Sequence, residues 1–136
     1  MKFTRVSVLV ALLVAVCLPA GAQVIETRMG VNVPFNFVAG SEYLPAGHYT
    51  IVQASSDTNT IWRITSDNDR VSVSIVTSNT SSPVKSHHRS VVFQQVGTRY
   101  VLSEFWTTEH SGRELPKAHH QTLEASTAKN VEIAAE

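Results

Sequence analysis

The stretch Ser90–Trp106 reads SVVFQQVGTRYVLSEFW, and its alternation decides the fold. β-Branched and aromatic residues dominate it, and these suit a pleated, half-buried surface. Gly97-Thr98 interrupts the run near its middle. Two apolar runs joined by a two-residue, glycine-containing link make a tight β-hairpin. By parity, Val91 and Phe93 with Tyr100, Leu102 and Trp106 fall on one face, and Val92 and Val96 with Val101 and Phe105 on the other. Both faces are apolar, so the hairpin is central to the domain or offers one face to a partner. Phe105 and Trp106 are consecutive, and in a regular strand neighbours point to opposite faces. One of the two therefore faces away from the core, and the pair is the candidate binding surface.

Outward from this hairpin, period two continues. Val31, Val33, Phe35 and Phe37 alternate with Asn32, Pro34 and Asn36, and Pro34 places the run at a sheet edge. His48–Ala54 sets Tyr49 and Ile51 against His48 and Thr50, and Thr60–Thr65 carries Ile61, Trp62 and Ile64. In Arg70–Thr77, Val71, Val73 and Ile75 oppose Ser72 and Ser74. Turn chemistry separates these runs: Leu44-Pro45-Ala46-Gly47, the Asx-rich Ser56–Asn59 and Ser66–Asp69, and Glu109–Gly112. Ser78–His88 is longer, polar and contains Pro83, and reads as a loop. Strand-like runs at short spacing, with no helix between them, predict an all-β domain. Its form is a small antiparallel β-sandwich or barrel of about six to seven strands. From Pro116 the residues are better helix formers, which predicts a short C-terminal helix over about 116–128 and a frayed end over 126–136.

The N-terminus reads as an export signal. Lys2 and Arg5 precede eleven consecutive apolar residues, Val8–Leu18, and then Ala20-Gly21-Ala22. That is the charge, apolar core and small-x-small site of a cleavable leader, and the run is short of the ~20 residues a stable span wants. Residues 1–22 are thus a signal peptide, 23–116 a β-domain and 117–136 the helix and tail. The mature chain is secreted or periplasmic, and it carries no transmembrane segment. Cys17 is the one cysteine and lies inside the leader, so the mature chain has none and must be held by its core. Losing Lys2 and Arg5 leaves nine basic residues against eleven acidic, a formal charge of −2. Scattered charge near neutrality does not make a nucleic-acid surface.

Four chemistries are open to residue types in this chain. His87-His88 and His119-His120 are adjacent pairs, and neutral imidazoles bind zinc or copper. Adjacent residues on a strand point apart, however, and no H-E-x-x-H motif accompanies them. Serines abound without G-x-S-x-G, so they decorate strands and turns. Glu104 lies in the Leu102–Trp106 strand and Glu109 follows in the turn, and Glu104 is expected to pair with Arg99, Arg63 or another cross-strand base rather than to form an acid pair across a cleft. Trp62, Phe93, Tyr100, Phe105 and Trp106 are aromatics that fill a core or line a carbohydrate or peptide surface. No motif asks for a cofactor.

Three stretches taken together, VNVPFNF (31–37), LPAGHYTI (44–51) and YVLSEFW (100–106) with GRELP (112–116), resemble a family of small secreted proteins of acidobacterial-type soil bacteria. The resemblance implies export and a bacterial source, and it brings no activity, cofactor or catalytic residue with it. The sequence therefore reads as an exported, non-catalytic β-domain that binds or self-associates, its partner a protein or an envelope polymer. The alternative is a small periplasmic metal-binding protein or enzyme using the His pairs. Mass spectrometry of protein recovered from a bacterial host is expected to find an N-terminus at or within a few residues of Gln23, whereas an intact Met1 on the exported product would defeat the leader reading.

Overall fold

In a computed structural model of the chain, residues 27–54, 60–81, 88–117 and 128–136 are described. Eleven strands run through them: β1 (Arg28–Val33), β2 (Phe37–Ala39), β3 (Glu42–Leu44), β4 (Gly47–Gln53), β5 (Ile61–Ser66), β6 (Ser72–Val76), β7 (Ser78–Ser81), β8 (Ser90–Val96), β9 (Arg99–Trp106), β10 (Ser111–Glu114) and β11 (Lys129–Ala134). One sheet has the order β1-β4-β5-β6 and is antiparallel throughout. The other has the order β11-β8-β9-β10-β7, and the β2–β3 hairpin joins it through a parallel pairing of β2 with β9. The domain is all-β, as the alternation requires. No helix among the described residues is long and apolar enough to cross a membrane.

The two sheets face each other over one core. Met29, Val31, Tyr49, Ile51, Trp62 and Ile64 come from the first, and Phe37, Leu44, Phe93, Leu102 and Phe105 from the second. Aromatic edges meet aromatic faces at its centre: Phe37 lies 5.3 Å from Tyr49 and 5.2 Å from Phe93, and Trp62 lies 5.0 Å from Phe105. Such T-shaped pairs add about 0.5–1.5 kcal/mol each beyond the area they bury. Tyr49 is buried, and its hydroxyl donates to the Pro45 carbonyl at 2.6 Å, which fastens the turn before β4 to the core.

At the centre of the hairpin the strict alternation fails. Val92 pairs with Glu104 and Phe93 with Leu102, which makes Ser103 an extra residue in β9. Its hydroxyl donates to the Val92 carbonyl at 3.1 Å. A bulge of this kind resets the parity of the strand beyond it. Leu102 and Phe105 consequently both enter the core, and Trp106 takes the other face of the sheet. That face is not open at Trp106. A Cβ placed on Gly112, its register partner in β10, would lie 2.7 Å from the indole, so the ring rests directly on the glycine. Phe105 is 0 % exposed and Trp106 4 %, so the expectation that one of them forms a binding surface is corrected.

The strand count and the C-terminal region are corrected too. Eleven strands replace six to seven because β3, β7 and β10 are three or four residues long, too short to show a period, and lie in segments that read as turn or loop. The tail is not frayed and its last part is not helical: β11 pairs along the whole length of β8, from Lys129 opposite Gln95 to Ala134 opposite Ser90. Ile133 packs on the core, and Ser90 Oγ donates to Glu132 Oε1 at 2.6 Å. Tertiary pairing here overrides the helix preference of Ala, Lys and Glu. Residues 118–127 of the expected helix, the leader 1–22 and the Ser56–Asn59 turn lie outside the described residues. Because the indole occupies the space over residue 112, Gly112→Ala is expected to cost about 1–3 kcal/mol by overpacking. Phe105→Ala and Trp106→Ala should each cost about 3–5 kcal/mol in urea denaturation, and a mild effect of either would contradict its burial.

Candidate functional site

The chain leaves β1 in one sheet and enters β2 in the other through Pro34-Phe35-Asn36. Proline has no N–H to continue a ladder, so the crossing happens there. It leaves Phe35 outside both ladders and packed against the core. The Phe35 ring stacks on Tyr100 with centroids 3.8 Å apart and planes at 18°, and it meets Phe93 edge-on at 5.2 Å. Asn36 Oδ1 accepts the Ala46 N–H at 2.9 Å, which ties the crossing to the β3–β4 turn and fixes the amide plane. Two glycines shape the surroundings. Gly40 and Gly97, each the first residue of a two-residue hairpin loop, have φ of +63° and +60°, which a primed hairpin turn demands and L side chains resist.

Tyr43 stands opposite Val38 on the outer face of the second sheet and is 66 % exposed, the most exposed large apolar side chain described. With Phe35, Asn36, Val38, Thr98, Arg99 and Tyr100 it lines an open trough of about 630 Å³ at one end of the sandwich. The trough offers aromatic surface, two phenol hydroxyls, an amide, a threonine hydroxyl and an exposed guanidinium. Among the described residues of its lining none carries a carboxylate, imidazole or thiol.

The residues singled out in the sequence lie elsewhere. His88 and His110 are exposed, and His87, His119 and His120 are outside the described residues. His48 Nδ1 lies 2.7 Å from Asp67 Oδ1 on the outer face of the first sheet, an exposed pair. Among the described residues no three His, Cys, Asp or Glu side chains are grouped to hold a metal. Glu104 stands in register with Val92 and Glu114 and not with a base, because Arg99 lies on its own strand and Arg63 on β5 of the other sheet. One cation lies in the core wall: Arg113 is 6 % exposed, stacks 5.6 Å above the Trp62 ring and donates to Asn79 Oδ1. Burial lowers its pKa, as it raises that of Tyr49.

Tyr100 was legible as an aromatic of interest; Phe35 and Tyr43 were not. Phe35 reads as one more inward member of Val31–Phe37, and the signal that could have separated it is Pro34, which breaks the strand one residue earlier. Tyr43 sits in a three-residue strand that only its Gly40-Ser41 turn announces. No family model, curated protein or solved structure matches the chain. Tyr43→Ala is expected to change stability by less than about 0.5 kcal/mol, as exposed positions do. Tyr100→Ala, which removes the stack on Phe35, should lower the melting temperature clearly; equal melting temperatures would show that the stack holds nothing in place.

Proposed function

We propose that this chain is an exported, non-catalytic binding domain that holds a glycan of the cell envelope or extracellular space in the trough between Tyr43 and the Phe35–Tyr100 stack. The observation that carries the reading is the exposed Tyr43 ring beside the Asn36 amide, which the Ala46 N–H holds in place. A monomer loses nothing in stability by placing a smaller residue at position 43, and an aromatic body with a polar tip is the side chain interfaces favour. A sugar presents one face of C–H groups and a rim of hydroxyls. The first suits an aromatic ring, and the second suits the Asn36 amide, the Thr98 hydroxyl and the donor fork of Arg99. The mixture of apolar wall and few polar groups is that of a ligand site.

The lining also bears on catalysis. General acid–base chemistry uses His, Glu, Asp, Lys, Tyr or Cys at a matched pKa. Among the described residues of its lining, two tyrosines are the only such groups, and no paired acids for glycoside cleavage occur. Export is supported by the positive start, the short apolar run and Ala20-x-Ala22.

The experiment is co-sedimentation of the protein with purified peptidoglycan sacculi. Wild type is expected in the pellet. Tyr43→Ala and Arg99→Ala should reduce the bound fraction at least about tenfold at unchanged melting temperature, since both side chains are exposed. Failure of wild type to pellet, or equal pelleting of wild type and both variants, overturns the reading.

A further inference from the structure

Sheet edges expose rows of unpaired N–H and C=O groups, and proteins blunt them with charge, proline, shortness or a covering segment. Most edges here are blunted. β1 is covered where Gly30 and Glu136 exchange N–H···O bonds at 3.1 and 2.9 Å and where Arg89 donates to the Arg28 carbonyl. β3 has three residues and a glutamate, β7 has four residues, and β11 carries Lys129 and Glu132. β6 is different. It closes its sheet, no described strand pairs with its outer side, and Val71–Ser81 contains neither a charge nor a proline.

The phase of its ladder is fixed at both ends. The Ser66 N–H donates to the Val71 carbonyl at 2.9 Å, and the Thr77 N–H to the Thr60 carbonyl at 2.8 Å. Antiparallel pairs alternate. Val71, Val73, Ile75 and Thr77 therefore turn their backbone groups to β5, while Ser72, Ser74 and Val76 turn theirs outward. Alongside this edge runs a groove of about 440 Å³, bounded by Arg70–Ser74 on one side and by Ser41 and Glu42 of the β2–β3 hairpin on the other. Val73 is half-buried at its floor.

We propose that β6 pairs antiparallel with β6 of a second copy about a two-fold axis through Ser74, joining two four-stranded sheets into one of eight. What fits the edge is another strand, because only a backbone supplies acceptors and donors at the matching spacing. A second β6 supplies more. With Ser74 opposite Ser74, Ser72 falls opposite Val76, so all three outward-facing residues of each copy meet outward-facing residues of the other. Val73 then lies beside Ile75 of the second copy, which brings an apolar side chain to the groove floor. The absence of charge along Val71–Ser81 leaves no like-charge contact between the two paired strands. Such an interface is isologous and closes at the dimer.

Three variants of the full chain test this, together with sedimentation velocity over a wide concentration range. Wild type is expected to show a concentration-dependent dimer, and a monomer at every concentration overturns the proposal. Ser74→Pro removes an N–H that the monomer does not use, on an edge strand where proline is tolerated, and should weaken the dimer at least about tenfold with the melting temperature of the monomer unchanged. A dimer unaffected by that change overturns the proposal. If Ser74→Pro fails to fold, cross-linking carries the test. In a Cys17→Ser background, Ser74→Cys is the sole thiol. A hydrogen-bonded pair places its two Cα atoms about 5.5 Å apart, within disulfide range, so mild oxidation should give a covalent dimer. Ser72→Cys, displaced from its own copy by about 13 Å along the strand, should not. Equal cross-linking at both positions overturns the register.

Discussion

The bulge at Ser103 is the constraint on which the second sheet turns. Without it, Tyr100, Leu102 and Trp106 would share a face, Phe105 would point away from Trp62, and the indole of Trp106 would be driven into the core. With it, β9 contributes Leu102 and Phe105 to the core and keeps Trp106 on the far side, against Gly112. One inserted residue thus reconciles two runs of apolar side chains that no regular strand could bury together. It also explains why β9 is served by two different neighbours along its second edge: β2 pairs with its first part, at Tyr100 and Val101, and β10 with its last, at Glu104 to Trp106. The local bend that a bulge brings separates these two partners.

The ends of the sandwich follow from how the chain passes between sheets. At Pro34 it does so by omitting a donor, and the omission leaves Phe35 outside both ladders, where it caps Tyr100. At Thr77 it does so by doubling a bond: both the N–H and the hydroxyl of Thr77 donate to the Thr60 carbonyl, at 2.8 and 3.2 Å, before the chain turns into β7. The first crossing makes a recess and the second a tight corner. The recess is where the proposed ligand site lies, and the corner delivers the uncharged β6 to the rim.

Fold class was legible because Tyr49-x-Ile51, Val71-x-Val73-x-Ile75 and Val91-x-Phe93 repeat the spacing of a pleated strand with little ambiguity. The Gly97-Thr98 hairpin was legible for the same reason. What the residues could not announce was a pairing that depends on distant partners. Lys129–Ala134 has the composition of a helix and becomes a strand only because β8 offers an edge. Ser78–Ser81 has the composition of a loop and becomes a strand because it pairs with β10, where Arg113 donates to Asn79. The site suffered in the same way. Phe105 and Trp106 do divide between the faces, but a single extra serine in β9 exchanges which of them enters the core, and Gly112 seats the other. Tyr43 and Phe35 themselves carry no signal in the sequence because their positions depend on where the strands stop.

The parallel pairing of β2 with β9 brings together residues about 60 positions apart, whereas the first sheet is built largely from neighbouring hairpins. Loop-closure entropy rises by about 0.6 kcal/mol for each doubling of length, so this pairing costs roughly 2 kcal/mol more to close than a hairpin does. A domain whose decisive contacts are this remote in sequence belongs among the slower folders. Its first sheet is built from pairings closer in sequence, yet the apolar face of that sheet is covered only when the second sheet packs on it. The time spent in that condition, more than the strength of any finished contact, sets how much of the chain is lost to misassembly before it is complete.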